Sequence, residues 1–306
     1  MALGLAALGR PRYVNLGQGR DVADASVEGM RAHAWDMLDA AYAEGLRHVD
    51  TARSYGLAEE FLGGWLDDRG HTDVAITSKW GYTYTAQWRK DAEQHEVKDH
   101  SLATYVRQIA ETSMALPRLD GYQIHSATLD SGVLEDTEVL SALSDLADTG
   151  VTIGLSLSGA RQCDTLRAAL ALAHSGGAPF RLVQATWNVL EPSVSDALQQ
   201  ASEAGWTVII KEALANGRLT DRGDPPAVLR DLAAAHGVGV DAAAIAVALA
   251  QPFTDVVLSG ASTLAQLRSN LTARDVSLTP EQASAYLSSA EQPAQYWAYR
   301  SSLPWT

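Results

Sequence analysis

A repeated local pattern constrains this chain more than any other feature. Short apolar runs, many of them β-branched, alternate with segments of helical length. The stretches ALPRLDGYQIH, ADTGVTIGLS and ASEAGWTVIIK each pass from a helix end through a turn into a strand. Strands are expected at Arg47–Asp50, Val74–Thr77, Gly121–His125, Val151–Leu155, Arg181–Ala185, Thr207–Ile210 and Asp255–Leu258, with an early one near Gly4–Ala7. Helices are expected at Val27–Glu44, Glu59–Asp68, Leu102–Leu116, Glu138–Asp148, Cys163–His174, Val194–Ala204, Ala227–Ala235, Ala242–Ala250 and Leu264–Leu271. Ser26 is placed to cap the first helix and Gly45 to end it. Eight parallel strands with helical crossovers predict a closed (β/α)8 TIM barrel, one domain over residues 1–306. An open doubly wound sheet needs a glycine-rich phosphate turn after its first strand. Gly17-Gln18-Gly19, followed by Arg20-Asp21-Val22, lacks the third glycine.

Charge narrows the function. With 23 basic and 37 acidic residues the formal charge is −14. Nucleic-acid binding and attachment to an anionic membrane surface both need basic surface, so neither is expected. No apolar run reaches the roughly 20 residues of a membrane span, and MALGLAALGRPR lacks the basic start of a signal peptide. One cysteine, Cys163, precludes an intrachain disulfide and fits the cytoplasm. It is expected to be an inert core residue. Oligomeric state is not readable.

Barrel active sites lie at the C-terminal ends of the strands. Asp50 ends RHVD, Tyr55 follows in TARSYG, Lys79 ends VAITSK and His125 ends GYQIH. Taken singly, a strand-end Lys is usually solvated and a lone His a satisfied core residue. Together they can form a proton-transfer unit: a tyrosine acid, a lysine cation to lower its pKa, and an aspartate to keep the lysine charged. Other signals are weaker. Gly154–Gly159 (GLSLSG) misses the G-x-S-x-G hydrolase elbow by one position. His95 and His100 lie among acids but match no metal motif. The irregular stretch Trp80–His100 reads as a functional loop over the barrel mouth, with Trp80 as a substrate wall beside Lys79. Trp297, Tyr299 and Trp305 either shape a substrate pocket or pin the C-terminal tail.

HVDTARSYGLAEEFLG resembles the D-T-A-x-x-Y-G-x-S-E-x-x-L-G signature of the aldo-keto reductases, with Ala58 at the usual serine. ITSKWG and LDGYQIHS are similar to the strands bearing that family's lysine and histidine, and VVLSGASTLAQLRSNL to its adenosine-binding segment. The resemblance covers nearly the whole chain. It implies the catalytic set Asp50, Tyr55, Lys79 and His125 and hydride transfer between a nicotinamide and a carbonyl carbon. Tyr55 would donate the proton and His125 would orient the oxygen. It also implies cofactor contacts: Ser156 and Gln184 on the nicotinamide amide, Lys211 where many members stack an aromatic ring, and Glu212, Leu214, Gly217 and Leu219 around the pyrophosphate. Gly260, Ser262, Thr263, Gln266 and Asn270 would lie at the adenosine. Members with a similar GAS segment take NADPH through the helix N-terminus and hydroxyls, so the resemblance implies NADPH; Gly260 and Gln266 stand where many members place a Lys and an Arg, so a weaker preference, with NADH accepted, is expected. The substrate is expected to be a small aldehyde, ketone or sugar. A sugar or alcohol dehydrogenase working oxidatively is an alternative. So is a nicotinamide-binding regulatory protein of the potassium-channel β-subunit type.

Overall fold

The computed structural model describes residues 1–16, 21–89 and 91–305; the Gly17-Gln18-Gly19 turn lies outside them. The eight barrel strands are β1 Ala2–Gly4, β2 His48–Asp50, β3 Ala75–Trp80, β4 Gly121–Ala127, β5 Thr152–Leu157, β6 Phe180–Thr186, β7 Thr207–Lys211 and β8 Val256–Ser259. They close in sequence order, all parallel, with β1 paired to β8 through Ala2↔Leu258 and to β2 through Gly4↔Asp50.

Boundaries follow the sequence expectation to within a few residues, with one relocation. The first strand is Ala2–Gly4 rather than Gly4–Ala7. Leu5 N donates the last ladder bond to the Asp50 carbonyl, and the chain then turns, Leu8 and Gly9 both donating to the Leu5 carbonyl. Leu5, Ala7 and Leu8 are buried in that turn, so hydrophobicity alone does not mark the strand end.

Helices α1 Val27–Ala43, α2 Ala58–Arg69, α3 Leu102–Ala115, α4 Thr137–Ala147, α5 Gln162–His174, α6 Ser195–Glu203, α7 Ala227–His236, α8 Val240–Leu249 and α9 Leu264–Leu271 surround the strands. Ser26 caps α1 by accepting from Gly29 N at 3.0 Å, and Gly45 turns the chain at φ +84°. Helix α8 (VDAAAIAVAL) is apolar on nearly every face and almost wholly buried. Among the described residues no single helix is long and apolar enough to cross a membrane. Two apolar clusters fill the interior. Leu3, Val49, Ile76, Met37 and Leu62 belong to the one packing α1 and α2 on β1–β3. Tyr122, Ile153, Val183, Ile210 and Ile245 belong to the other.

Within the stretch after β3, Tyr82–Tyr84 and Glu96–Lys98 form an antiparallel hairpin. Cys163 is half-buried and packs against the core.

Candidate active site

The four chemistry-bearing residues gather at one end of the barrel. Lys79 and Asp50 form an almost completely buried ion pair, Nζ to Oδ1 2.5 Å. Lys79 Nζ also donates to the Thr51 carbonyl at 2.9 Å. The second carboxylate oxygen of Asp50 accepts from Thr77 Oγ1 at 2.8 Å and Gln184 Nε2 at 2.9 Å. Partners on β3 and β6 therefore satisfy this buried charge. Gln184, expected at the nicotinamide, thus lines the cavity while holding Asp50.

Tyr55 lies on the loop after β2. That loop is seated by close backbone approach: Leu57 N donates to the Gly9 carbonyl at 2.8 Å. A Cβ on Gly56 would lie 2.3 Å from the Gly9 oxygen, and Gly56 has φ +68°, so no side chain fits there. Two residues that sequence reasoning missed complete the support. Arg10, 2% exposed, donates to the Ser54 carbonyl at 2.9 Å and pairs with Glu96 at 2.8 Å. Buried Glu59 takes Ser78 Oγ at 2.5 Å and Arg53 Nη1 at 2.7 Å, tying α2 to β3 and to the Tyr55 loop. The YGLAEE stretch flags Glu59 only as a helix-start acid, and nothing local flags Arg10.

Lys79 Nζ lies 5.1 Å from the Tyr55 ring centre and the Arg10 guanidinium 5.3 Å. Burial, reinforced by the Asp50 carboxylate, nevertheless pushes the phenol well above its usual value, with Arg10 opposing. Burial and Asp50 thus outweigh the lowering expected from Lys79. In the resting site the lysine charge is committed to Asp50, and Tyr55 is firmly protonated. The His125 ring meets the Tyr55 ring edge-on at 5.5 Å between centres. Burial, then the charges of Lys79, Lys211 and Arg10, hold His125 well below its usual pKa, so it is a neutral imidazole.

A bulge aims His125. The β4–β5 register slips between Ile124 and Ala127, and Ser126 adopts φ +53°. The hydroxyl of Ser156 accepts from Ser126 N at 2.8 Å, and His100 Nε2 bonds the His125 carbonyl at 2.9 Å. Ser156 therefore holds the bulge behind His125. Trp80 is a correction: it is fully buried and edge-on to Tyr105 and His100, not on the cavity wall. Successive strand residues face opposite sides, so Lys79 pointing into the barrel sends Trp80 outward to α3. Trp297 is buried with its Nε1 3.4 Å from Glu191, Tyr299 is exposed, and Trp305 stacks on His95 at 4.4 Å beneath Arg10, so the tail is pinned.

A cavity of about 380 Å³ runs from Asp50 and Tyr55, past Lys211 and Glu212, to Gly260 and Asn270. Lys211 donates to Thr186 Oγ1 at 2.7 Å, and burial lowers its pKa to about 8 against the pull of Glu212. Burial works against the Glu212 charge, but Arg300, 2.7 Å away, and Lys211 hold its pKa at about 2. Leu214 and Gly217 line the wall. Leu219, expected at the pyrophosphate, is fully buried in the core. Ser262 is buried. Thr263 caps α9, and Gln266 completes a capping box, its Oε1 3.2 Å from Thr263 N. The T-x-x-Q spacing is that box's sequence signal.

The donor set fits an adenine dinucleotide. Buried polar atoms with no protein partner, Asn270 Oδ1 and Asn216 Oδ1, belong to cavity-lining residues. A Cβ on Gly260 would meet nothing within 4 Å, so that wall is open space. Asn188, Gln162 and Tyr296 form a separate buried network beneath the wall.

The family model for the aldo/keto reductase family matches residues 22–291. A probable aryl-alcohol dehydrogenase of Saccharomyces cerevisiae is 25% identical over 286 residues, covering 82% of this chain and 86% of that protein. Among solved structures, the holo form of an aldo-keto reductase from Bacillus halodurans superposes with TM-score 0.69 at 20% identity. It covers 95% of this chain and 92% of that one. A glycerol dehydrogenase from Gluconobacter oxydans superposes with TM-score 0.68 at 22% identity, covering 93% and 89%. The barrel, the strand-end residues and the matched span agree: the chain belongs to the aldo/keto reductase family, oxidoreductases of carbonyl and alcohol groups that work with a nicotinamide cofactor.

Proposed function

We propose that this protein is an NADPH-dependent aldo-keto reductase in which Tyr55 is the general acid. The observation that carries the reading is the grouping of a protonated buried phenol, a neutral imidazole and a buried Lys–Asp pair at one end of the barrel, where Tyr55 and Asp50 open onto the cavity. A bound reduced nicotinamide supplies hydride to the carbonyl carbon. The chain's part is to receive and place the oxygen. His125 is neutral, and Ser54 Oγ lies 3.4 Å from its Nδ1. With Nδ1 accepting that hydroxyl, Nε2 carries the proton and donates to the substrate oxygen. Tyr55 gives its proton to the same oxygen as negative charge develops there. Lys79 and Arg10, both near the Tyr55 ring, then stabilise the phenolate that remains. The elevated resting pKa keeps the acid loaded until that moment.

Substrates are small aldehydes, ketones or sugars, and the relatives' names add aryl alcohols and glycerol for the oxidative direction. The single half-buried cysteine supports a cytoplasmic setting. The NADPH reading rests on Arg222, a cavity-lining cation brought to the Gly260–Asn270 end. Absorbance of reduced nicotinamide, followed with a panel of carbonyl compounds, tests the activity: steady turnover supports it, and tight binding without turnover favours a regulatory protein. Comparing kcat/KM for the two cofactors tests the cofactor choice. NADPH is expected to lead with NADH measurable. A lead for NADH overturns the choice, and a lead for NADPH beyond about a thousandfold, roughly 4 kcal/mol, overturns the expectation that NADH is accepted.

A further inference from the structure

The chain has seated one of its own carboxylates in a cluster built for an anion. Asp21 Oδ2 accepts from Ser262 Oγ at 2.6 Å, Arg222 Nη1 at 2.8 Å and Gln266 Nε2 at 3.2 Å, while Arg222 Nη2 closes on Oδ1. Thr263, beside Ser262, caps the N-terminus of α9. A guanidinium fork, a hydroxyl, an amide and a helix N-terminus are together the donors that hold phosphate. The Asp21 side chain is only 5% exposed, whereas Arg222 is 37% exposed and can swing.

A second observation places a ligand here. Arg222, Gln266, Ser269 and Asn270 line the same cavity that begins at Tyr55. Asn270 is 2% exposed, spends its amide on Ser259 Oγ at 2.9 Å, and leaves its Oδ1 without a partner. A buried acceptor left open in a cavity wall waits for a donor from outside the chain.

We propose that Asp21 is an internal occupant of a phosphate seat made by Arg222, Ser262 and Gln266, in competition with the 2′-phosphate of the bound dinucleotide. This rests on the nicotinamide reading above. An adenosine ribose with a free 2′-hydroxyl leaves Asp21 in place and donates to its carboxylate. A 2′-phosphate takes over Arg222 and the hydroxyl and drives Asp21 out, since two anions cannot share these donors. Asp21 thereby blunts the preference for the phosphorylated cofactor that the seat would otherwise give. This is how one site accepts both forms although no Lys or Arg stands at 260 or 266.

The experiment is calorimetric titration of the full chain with 2′,5′-ADP and 5′-AMP, probes without a redox ring, with NADPH and NADH titrated alongside. In Asp21→Asn and Asp21→Ala, 2′,5′-ADP is expected to tighten about tenfold, or ~1.4 kcal/mol, with a steeper salt dependence, while 5′-AMP, whose 2′-hydroxyl loses its carboxylate acceptor, weakens and does not tighten. Arg222→Gln is expected to weaken 2′,5′-ADP selectively. Thermal melts of each variant separate a folding defect from a change at the seat. If the ratio of the two probes' affinities is unmoved in both Asp21 variants while wild type binds NADPH and NADH, this inference alone is overturned. If wild type binds neither dinucleotide, the cofactor reading falls and this inference falls with it.

Discussion

The two ends of the cavity are both organised by an ion pair, but the pairs are built differently. At the barrel mouth Lys79 and Asp50 are 0% and 3% exposed and sit on adjacent strands whose register is fixed by the sheet. At the α9 end Arg222 is 37% exposed, and its partner Asp21 is 201 positions away in sequence, one contact between loops. The mouth pair cannot open without stranding a charge in a low-dielectric interior. The loop pair can, because water and a ligand phosphate are ready replacements. The comparison gives the proposed roles a division of labour: chemistry would fall to groups that cannot exchange partners, and cofactor selection to groups that can.

The largest test of that division is Tyr55→Phe. Keeping the ring while removing the acid is expected to lower kcat by roughly 10²–10⁴-fold and to leave the dinucleotide dissociation constant nearly unchanged. Near-normal turnover would remove Tyr55 from the mechanism and break the assignment of chemistry to the mouth.

Next is the mouth pair itself, through a double-mutant cycle on Asp50→Asn and Lys79→Met read in both turnover and melting. Each single change leaves a buried partner uncompensated and is expected to destabilise by about 3–5 kcal/mol. The double change is expected to be milder than the sum. Additive stabilities would mean that the two residues act separately, and the contrast with the exchangeable loop pair would dissolve.

The smallest effect sharpens the comparison from the middle of the cavity. Lys211 titrates near pH 8, lowered by burial, so it is charged below that pH and neutral above it. Affinity for the anionic dinucleotide is therefore expected to fall a few-fold as pH rises through 8, and Lys211→Met should flatten that step. The same lowered pKa implies that folding stability rises with pH between about 8 and the unfolded value of about 10.4, because the unfolded chain there holds more protons. A dinucleotide titration from pH 6.5 to 9.5 checks the first, and urea melts over pH 7.5–10 check the second.

The mouth was legible in the sequence because strand ends are local features: a buried β run followed by Asp, Lys or His places each residue at the active face before any coordinate is known. Parity along β3 was less legible. Lys79 and Trp80 are neighbours, and only the alternation of a strand whose two faces are both buried decides that the lysine enters the barrel and the tryptophan leaves it. Arg10 and Arg222 were not legible at all, since each acts through contacts with residues dozens to hundreds of positions away. Gln266 is legible only in part: its T-x-x-Q spacing marks a capping box, and it lines the cavity as well. Tyr55 shows a different limit. Its neighbours were readable, but the balance between burial and nearby cations depends on how much of the phenol is enclosed.

One consequence follows from the way Asp50 is held. Its carboxylate bonds Lys79 and Thr77 from one neighbouring strand and Gln184 from across the barrel, so it braces the architecture beside the role proposed for it in the reaction. A descendant of this protein that gave up turnover would feel no relief in discarding Asp50 or Lys79, because the fold would still demand both. Tyr55 carries no such debt: among the described residues none takes a hydrogen bond with its hydroxyl, and the role proposed for it is the chemistry alone. In comparing kindred barrels, the position to inspect for a lost activity is therefore the phenol, and an intact lysine–aspartate pair is a record of structural inheritance.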